Sequence, residues 1–312
     1  MPYRKSGHAG LSPAARITQE IIARLEAGTK PWIKPWRGAP VSRPLRACGT
    51  PYRGMNVFWL WMVADMSGYA SPYWMTYNQA HKREAQVRKG EKSTIAIFYK
   101  SYTKEVDAPD TGETSEEFRR VLKAYPVFNA DQIDGLPERF HPATQLDVVE
   151  PAGRQGDLDA FFAAIPAELR HQGDEAYYEP LADRITMPPA HLFSGMDHYY
   201  ATLAHELSHW TGHASRLARD LRNRFGTAAY AAEELVAELS SAILGAELGL
   251  PVAHLDSHAS YIEHWLGLLR QDDRAILTAA AKAEEASFLL LKLGGREIAD
   301  SVDEASAAAL AA

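Results

Sequence analysis

The segment His205-Glu206-Leu207-Ser208-His209 carries two histidines and a carboxylate at a spacing that suits metal chemistry. Residues four apart lie on one face of an α-helix, so both imidazoles can direct a nitrogen at one ion about 2.0–2.1 Å away. Glu206 lies beside them, where it can take a proton from a water bound to that ion. The segment therefore predicts a helix that holds zinc, or another divalent metal such as Mn²⁺, with Glu206 as general base.

Two histidines leave a catalytic zinc site one protein ligand short, because such sites combine three protein ligands with a water. The preferred third ligand is Glu234, in an apolar-periodic stretch that predicts a helix running to about residue 248. Glu238, one turn later, is predicted to accept a hydrogen bond from a ligand histidine, and Glu233 or Glu238 stays open as an alternative ligand. His213 follows the pair at a spacing of four, but Gly212 weakens the helix there.

The spacing of apolar residues along the chain predicts the helices and strands that must position these residues. Both kinds of element are predicted, in an α+β protein. Asp197 is a possible cap for the metal helix. The polar stretch 107–117 is predicted to be a mobile excursion between two strands, and 137–156 a linker between domains at 1–136 and 150–300. Helices are predicted over 16–28, 56–67, 78–84, 157–165, 257–270 and 272–293, and strands over 93–99, 121–128, 175–178 and 183–187.

Charge is divided sharply along the chain, although the net charge of its 312 residues is only −7. Residues 1–104 contain 17 Lys and Arg against 5 Asp and Glu, a balance of +12, whereas the remainder holds 16 against 35, or −19. A basic half joined to an acidic half indicates a polyanionic partner for the basic one.

The basic half is also rich in aromatic residues, with five of the seven tryptophans before residue 75. Cations contact phosphates and exposed rings stack on bases at about 1–3 kcal/mol each, which is how proteins bind single strands without sequence preference. A core position could explain any one ring, but an ordinary core does not explain the charge. The candidate DNA-binding residues are Trp32, Lys34, Trp36, Arg37, Arg43, Arg46, Tyr52, Arg53, Trp74, Tyr77, Arg88, Lys89 and Lys92.

Composition also limits where the protein works. The single cysteine, Cys48, cannot form a disulfide within the chain, which fits a reducing compartment. No apolar run approaches 18 residues, and residues 1–10 lack the apolar core of a signal peptide. The expected location is the cytoplasm, without a membrane partner, while the oligomeric state stays open.

Both halves of the chain contain short motifs typical of a known family. In the first half the motifs are Ile17-Thr18, Leu25-Glu26-Ala27-Gly28, Pro31-Trp32, Pro35-Trp36, Tyr52-Arg53-Gly54, Tyr73-Trp74-Met75-Thr76-Tyr77 and Val87-Arg88-Lys89-Gly90-Glu91-Lys92. In the second half they are Val127-Phe128-Asn129, Tyr200-Ala201-Thr202-Leu203-Ala204, the metal segment through His213, Phe225-Gly226 and Glu233-Glu234-Leu235-Val236-Ala237-Glu238. The first half thereby resembles the N-terminal single-stranded-DNA-binding domain of the ArdC antirestriction family, and the second half resembles the zincin-like metallopeptidase domain that follows it in that family.

This resemblance implies a plasmid- or mobile-element-encoded protein that accompanies or coats single-stranded DNA during conjugative transfer and shields it from host restriction. Delivery to the recipient cell during conjugation is compatible with this role. The resemblance also implies a mixed α/β DNA-binding domain followed by a zincin domain of helices on a small sheet. Two other functions stay open. One is a metallopeptidase whose main role is to cleave a host or DNA-bound protein or peptide, and the other is a DNA-coating module with a structural metal.

Overall fold

The computed structural model describes residues 10–30, 32, 42–107, 114–141, 153–220, 227–250 and 259–296. Helices and sheets alternate irregularly along these ranges, which confirms the predicted α+β class. The helices are α1 Pro13–Glu26, α2 Met55–Ser67, α3 Tyr77–His81, α4 Arg154–Ala163, α5 Met196–Thr211, α6 Ala228–Leu248, α7 Ala259–Gln271 and α8 Ala275–Leu293. The strands are β1 Leu45–Arg46, β2 Tyr73–Met75, β3 Gln86–Val87, β4 Thr94–Asp107, β5 Thr114–Asn129, β6 Ile133–Asp134, β7 Glu168–His171, β8 Tyr177–Glu179 and β9 Arg184–Met187.

The first half is built on a four-stranded sheet in the order β1-β2-β5-β4. Helix α2 is apolar on all sides and is correspondingly buried over most of its length. Two of its polar side chains bond to strand β4, and Asn56 exchanges hydrogen bonds of 2.7 and 2.8 Å with the backbone of Ile97. The indole of Trp59 donates to the carbonyl of Ile95 at 2.8 Å. The aromatic helix is therefore a core element of this half.

One hydrophobic cluster joins the two halves of the chain. It contains Ile17 and Ile21 of α1 and Leu60 of α2, together with residues from α6, α7 and α8. The contributions of these later helices include Leu235, Leu239, Trp265, Ile276 and Ala280. Because the same core is filled from both ends of the sequence, the first half lies directly on the helices that carry the second. The division at 1–136 and 150–300 stays a prediction.

The second half has its own cluster around a three-stranded sheet in the order β7-β9-β8. Strand β9 pairs in parallel with β7 and antiparallel with β8, so β8 lies at an edge. Helix α5 packs on this sheet and on α6 through residues such as Leu203 and Leu207. This arrangement brings the histidine segment between the edge strand and the predicted carboxylate helix.

Several local predictions differ from the structure. Strands β4 and β5 pair continuously from Thr94 opposite Val127 to Asp107 opposite Thr114. Both ends of the predicted excursion, Asp107 and residues 114–117, are therefore strand, while 108–113 lie outside the described residues. Strands β1, β2, β3, β6 and β7 were not predicted, because all five are short. In β7, Glu168–His171 is also mostly exposed and lacks an apolar alternation. Asp197 does not cap α5, whose N-cap is Gly195. It instead accepts from Arg154 at 2.8 Å.

Within the described ranges, no helix is long and apolar enough to cross a membrane.

Candidate metal centre

Helices α5 and α6 bring two histidines and a carboxylate together. The Nε2 atoms of His205 and His209 are 3.2 Å apart, and each lies 3.6 Å from an oxygen of Glu234. A tetrahedral ion with ligands about 2.0–2.2 Å away separates its ligand atoms by about 3.4 Å. Among the described residues these three form a cluster that could hold a metal ion. The donor set and spacing therefore fit zinc or a similar divalent cation.

The carboxylate of Glu206 is buried beside this cluster, next to the edge strand. The backbone of Tyr178 in β8 donates a hydrogen bond to it. Burial is the largest influence and raises the pKa of Glu206 above its ordinary value, although the charges of His205 and His209 act in the opposite direction. A raised pKa suits a group that must both take and return a proton.

The other two carboxylates of α6 lie behind the histidines. Glu233 forms a hydrogen bond of 3.2 Å with Nδ1 of His209. Glu238, for which such a bond was predicted, lies 3.8 Å from Nδ1 of His205, which is longer than a hydrogen bond. Both therefore lie on the side of the imidazole opposite Glu234, where a carboxylate sets the ring orientation. Glu233 is itself fixed by Arg219, whose Nε and Nη2 donate at 2.9 and 2.8 Å.

The pKa values of two residues in the cluster, His209 and Glu234, are shifted strongly. Burial disfavours the imidazolium of His209, but its hydrogen bond to Glu233 and the charge of Glu234 outweigh this and raise its pKa to about 9. Burial likewise opposes ionisation of Glu234, but hydrogen bonds from His205 and Tyr230 and the histidine charges lower its pKa to about 2. The raised pKa of His209 and the lowered pKa of Glu234 both indicate that the site favours a positive charge beside Glu234.

His213 lies outside the cluster. Its Nδ1 contacts the hydroxyl of Ser215 at 2.8 Å and lies 3.8 Å from the carboxylate of Asp183. The helix has already ended at Gly212, so the ring no longer continues the face of the two earlier histidines. The alternative in which His213 supplies the third ligand therefore has no geometric support.

Two tyrosines complete the surroundings of Glu234 and were not predicted. The hydroxyl of Tyr230 hydrogen-bonds to Glu234 and lies 3.1 Å from the hydroxyl of Tyr261. Burial and these partners raise the pKa of Tyr230, so it remains a hydrogen-bond donor. The spacing of four between Tyr230 and Glu234 is a signal that could have found it. Tyr261 comes from α7 and has no such local signal.

The predicted DNA-binding residues divide into buried and exposed sets. Trp32, Tyr52 and Trp74 are 1–2% exposed, so their rings pack in the core and are not available to stack on bases. Arg43 is also buried and pairs with Glu247 and Glu284 at 2.6 and 2.7 Å. These residues, with buried Arg46 over the ring of Tyr52, are corrected from DNA contacts to structural groups.

The exposed set lies near α3 and the turn after β3. Tyr77 is 46% exposed, and its hydroxyl lies 3.4 Å from the amide of Gln86 in β3. The turn that follows this strand carries Arg88, Lys89 and Lys92, which are all exposed. Arg53 is half-buried, and Lys34, Trp36 and Arg37 lie outside the described residues.

Comparisons with known proteins cover both halves. Residues 12–128 match the family model described as the N-terminal domain of anti-restriction factor ArdC. Residues 156–282 match the model of a zincin-like metallopeptidase. A metal-free crystal structure of the antirestriction ArdC protein from plasmid R388 is 43% identical and superposes with a TM-score of 0.77, covering 92% of this chain and 100% of that one. The chain belongs to the ArdC antirestriction family.

A Mn(II)-bound structure of the R388 ArdC protein is 42% identical, with a TM-score of 0.74 over 91% of this chain and 99% of that one. An uncharacterized protein of Sinorhizobium fredii, y4eC, is 41% identical over 276 residues, which is 86% of this chain and 88% of the relative. The DNA primase TraC of Escherichia coli is 40% identical over 308 residues, 93% of this chain but only 28% of the primase. The ArdC family and the zincin-like second half expected from the resemblance are confirmed.

Proposed function

We propose that this ArdC-family protein binds single-stranded DNA through its first half during conjugative plasmid transfer and hydrolyses a protein or peptide at the metal centre of its second half. The observation that carries the proposal is the position of Glu206, buried beside three convergent ligands yet not one of them. A purely structural metal has no need of a carboxylate in that place. Shielding of the DNA from restriction follows from coverage, and hydrolysis is a separable activity.

His205, His209 and Glu234 are the residues that would hold the cation, zinc or manganese. The Mn(II)-bound ArdC structure supports a divalent ion in this family. Such an ion lowers the pKa of a coordinated water and polarises the carbonyl of a substrate. Glu233 and Glu238 keep the two imidazoles oriented from behind.

Glu206 is the general base in this proposal. Its carboxylate accepts the proton of the attacking water and returns it to the leaving amine, which a single group with a raised pKa can do in both directions. The backbone of Tyr178 holds the carboxylate in place. Hydroxyls of Tyr230 and Tyr261 close the opposite side of the site, next to Glu234.

The substrate is proposed to bind as an extended strand along β8. Among the described strands, β8 pairs only with β9, and the backbone hydrogen bond from Tyr178 to Glu206 lies between β8 and the metal helix. A peptide that pairs with that edge runs past the catalytic carboxylate, and backbone pairing of this kind selects extended segments before it selects side chains.

The DNA surface is proposed to include Tyr77 and the basic turn formed by Arg88, Lys89 and Lys92. Tyr77 offers an exposed ring beside exposed cations, which is the combination that a single strand requires. Arg88 pairs with Glu91 at 2.9 Å, but an exposed pair of this kind is weak and can exchange for a phosphate. Lys34, Trp36 and Arg37 remain candidates.

Replacing Arg88, Lys89 and Lys92 by alanine tests this surface. Each lost phosphate contact should lower the slope of log Kd against log salt by about one unit, and affinity for an oligo-dT strand should fall. The control is Arg270→Ala with Lys282→Ala, which removes exposed positive charge from the second half instead. Equal losses in both variants would exclude a localised DNA surface on the turn.

A further inference from the structure

The segment that leaves α1 in the first half enters the surroundings of the metal centre. The ammonium group of Lys30 donates to Oε1 of Glu238 at 2.7 Å, across 208 residues of sequence. Both side chains are removed from water, with Lys30 10% and Glu238 1% exposed. Lys30 also lies over the ring of Trp265, 5.7 Å from its centroid. A cation from the first half therefore neutralises a buried carboxylate of the second.

Glu238 connects this ion pair to a metal ligand. Its second oxygen, Oε2, lies 3.8 Å from Nδ1 of His205, a charge contact longer than a hydrogen bond, on the side of the ring opposite Glu234. A negative charge at this place favours the tautomer that carries its proton on Nδ1, which leaves Nε2 for the metal. Lys30 holds Oε1 of that carboxylate. Because the carboxylate group is rigid, this contact also determines where Oε2 lies.

We propose that Lys30 is a positioning residue of the metal centre, which acts on His205 through Glu238, and that the centre is incomplete without the first half. The inference rests on the proposed metal site and adds to it a contribution from a residue outside the zincin-like domain. Metal affinity of the full chain then depends on a side chain that contacts neither the ion nor the substrate.

A second contact from the same segment reaches the third ligand. Trp32 packs edge-on against Trp265 with centroids 5.4 Å apart, and Trp265 stacks on Tyr261 at 6.1 Å. Tyr261 contacts Tyr230, whose hydroxyl bonds to Glu234. The segment that holds Lys30 and Trp32 thus supports His205 through one path and Glu234 through another.

The test is Lys30→Met in the full chain, with metal affinity measured for Zn²⁺ by competition with a chromophoric chelator. Loss of a partner behind a ligand typically weakens metal binding about 10–100-fold, and that range is expected here. Lys30→Arg, which keeps the charge, should recover most of the affinity. In the Co²⁺-loaded protein, the visible absorption band should shift with Lys30→Met, because the ligand field changes when His205 rotates.

Arg43→Met is the matched control. Arg43 is another buried cation of the first half that pairs with carboxylates of α6 and α8, namely Glu247 and Glu284. Glu247 lies nine residues beyond Glu238, about 13 Å along the helix and away from the metal ligands. Arg43→Met should lower the melting temperature while Zn²⁺ affinity and the Co²⁺ band remain those of the wild type.

Glu238→Gln gives an independent arm, since it removes the buried charge that Lys30 neutralises. It should weaken Zn²⁺ binding, and adding Lys30→Met should weaken it little further, because the two residues act through one path. If the single variant Lys30→Met fails to fold, Zn²⁺ affinity is measured on the double variant instead.

Unchanged or tighter Zn²⁺ binding in Lys30→Met or the double variant, or an equal loss of affinity in Arg43→Met, would overturn the inference. A wild-type chain that binds no Zn²⁺ would instead refute the proposed metal site itself.

Discussion

At the scale of single residues, the function depends on which side of each imidazole a carboxylate occupies. Glu234 faces Nε2 of both histidines, whereas Glu233 and Glu238 face the Nδ1 atoms. The first position suits a metal ligand and the second suits a group that orients the ring. We therefore propose two different roles for three carboxylates that lie within six residues.

Metal uptake should release a proton near neutral pH. In the metal-free protein the pKa of His209 is raised to about 9, so its imidazole is charged at pH 7, and it must become neutral to bind a metal. Apparent Zn²⁺ affinity should therefore rise about tenfold per pH unit from pH 7 towards 9 and then level off. Calorimetry in buffers of different ionisation enthalpy measures the released proton directly.

Glu233→Gln is the control for this pH dependence, because Glu233 accepts the hydrogen bond that raises the pKa of His209. The plateau of affinity should begin at lower pH in this variant. A profile that is flat between pH 7 and 9 in the wild type would show that His209 is already neutral there.

At the scale of elements, the sequence predicted what is local and missed what is distant. His205 and His209 belong to one helix, so a spacing of four suffices to place them on one face. Sequence favoured Glu234 as the third ligand but left Glu233 and Glu238 open, because the roles of the three carboxylates depend on how α6 is rotated against α5. Lys30 had no signal at all, since its partner lies 208 residues away.

The aromatic residues of the first half show the opposite error. Their abundance beside basic residues suggested a stacking surface, yet Trp32, Trp59, Trp61 and Trp74 are all 5% exposed or less. They fill the core that α1 and α2 share with α6, α7 and α8. Composition does not distinguish a ring that faces the core from one that faces solvent. The positive charge of the first half, unlike its aromatic content, still indicates a polyanionic partner.

The shared core predicts how fragments behave. Residues 1–136 expressed alone lack α6–α8 and expose Ile17, Leu60 and their neighbours, so this fragment should aggregate or remain partly unfolded. Co-expression with 150–300 should recover a soluble complex with cooperative melting. Size-exclusion chromatography and calorimetry distinguish the two results, and a monomeric, cooperatively folded 1–136 would contradict the shared core.

At the scale of the whole molecule, a basic half and an acidic half are held together by buried contacts rather than by a loose tether. The ion pairs of Lys30 with Glu238 and of Arg43 with Glu284 cross between them, as does the hydrophobic cluster. DNA bound by the first half, as proposed above, would thereby be kept at a fixed distance from the metal centre. Proteins that travel with the DNA are the substrates that this arrangement would favour.

The central claim is that Glu206 performs hydrolysis without contributing to metal or DNA binding. The most direct measurement compares new protein N-termini in cells that express the wild type or Glu206→Gln, with Zn²⁺ content and oligo-dT affinity determined on the purified proteins. New N-termini should appear with the wild type and vanish with the variant, while Zn²⁺ content and DNA affinity stay the same, because the three ligands and the basic turn are untouched. Identical N-termini in both cells would contradict the claim and leave the metal with a structural role.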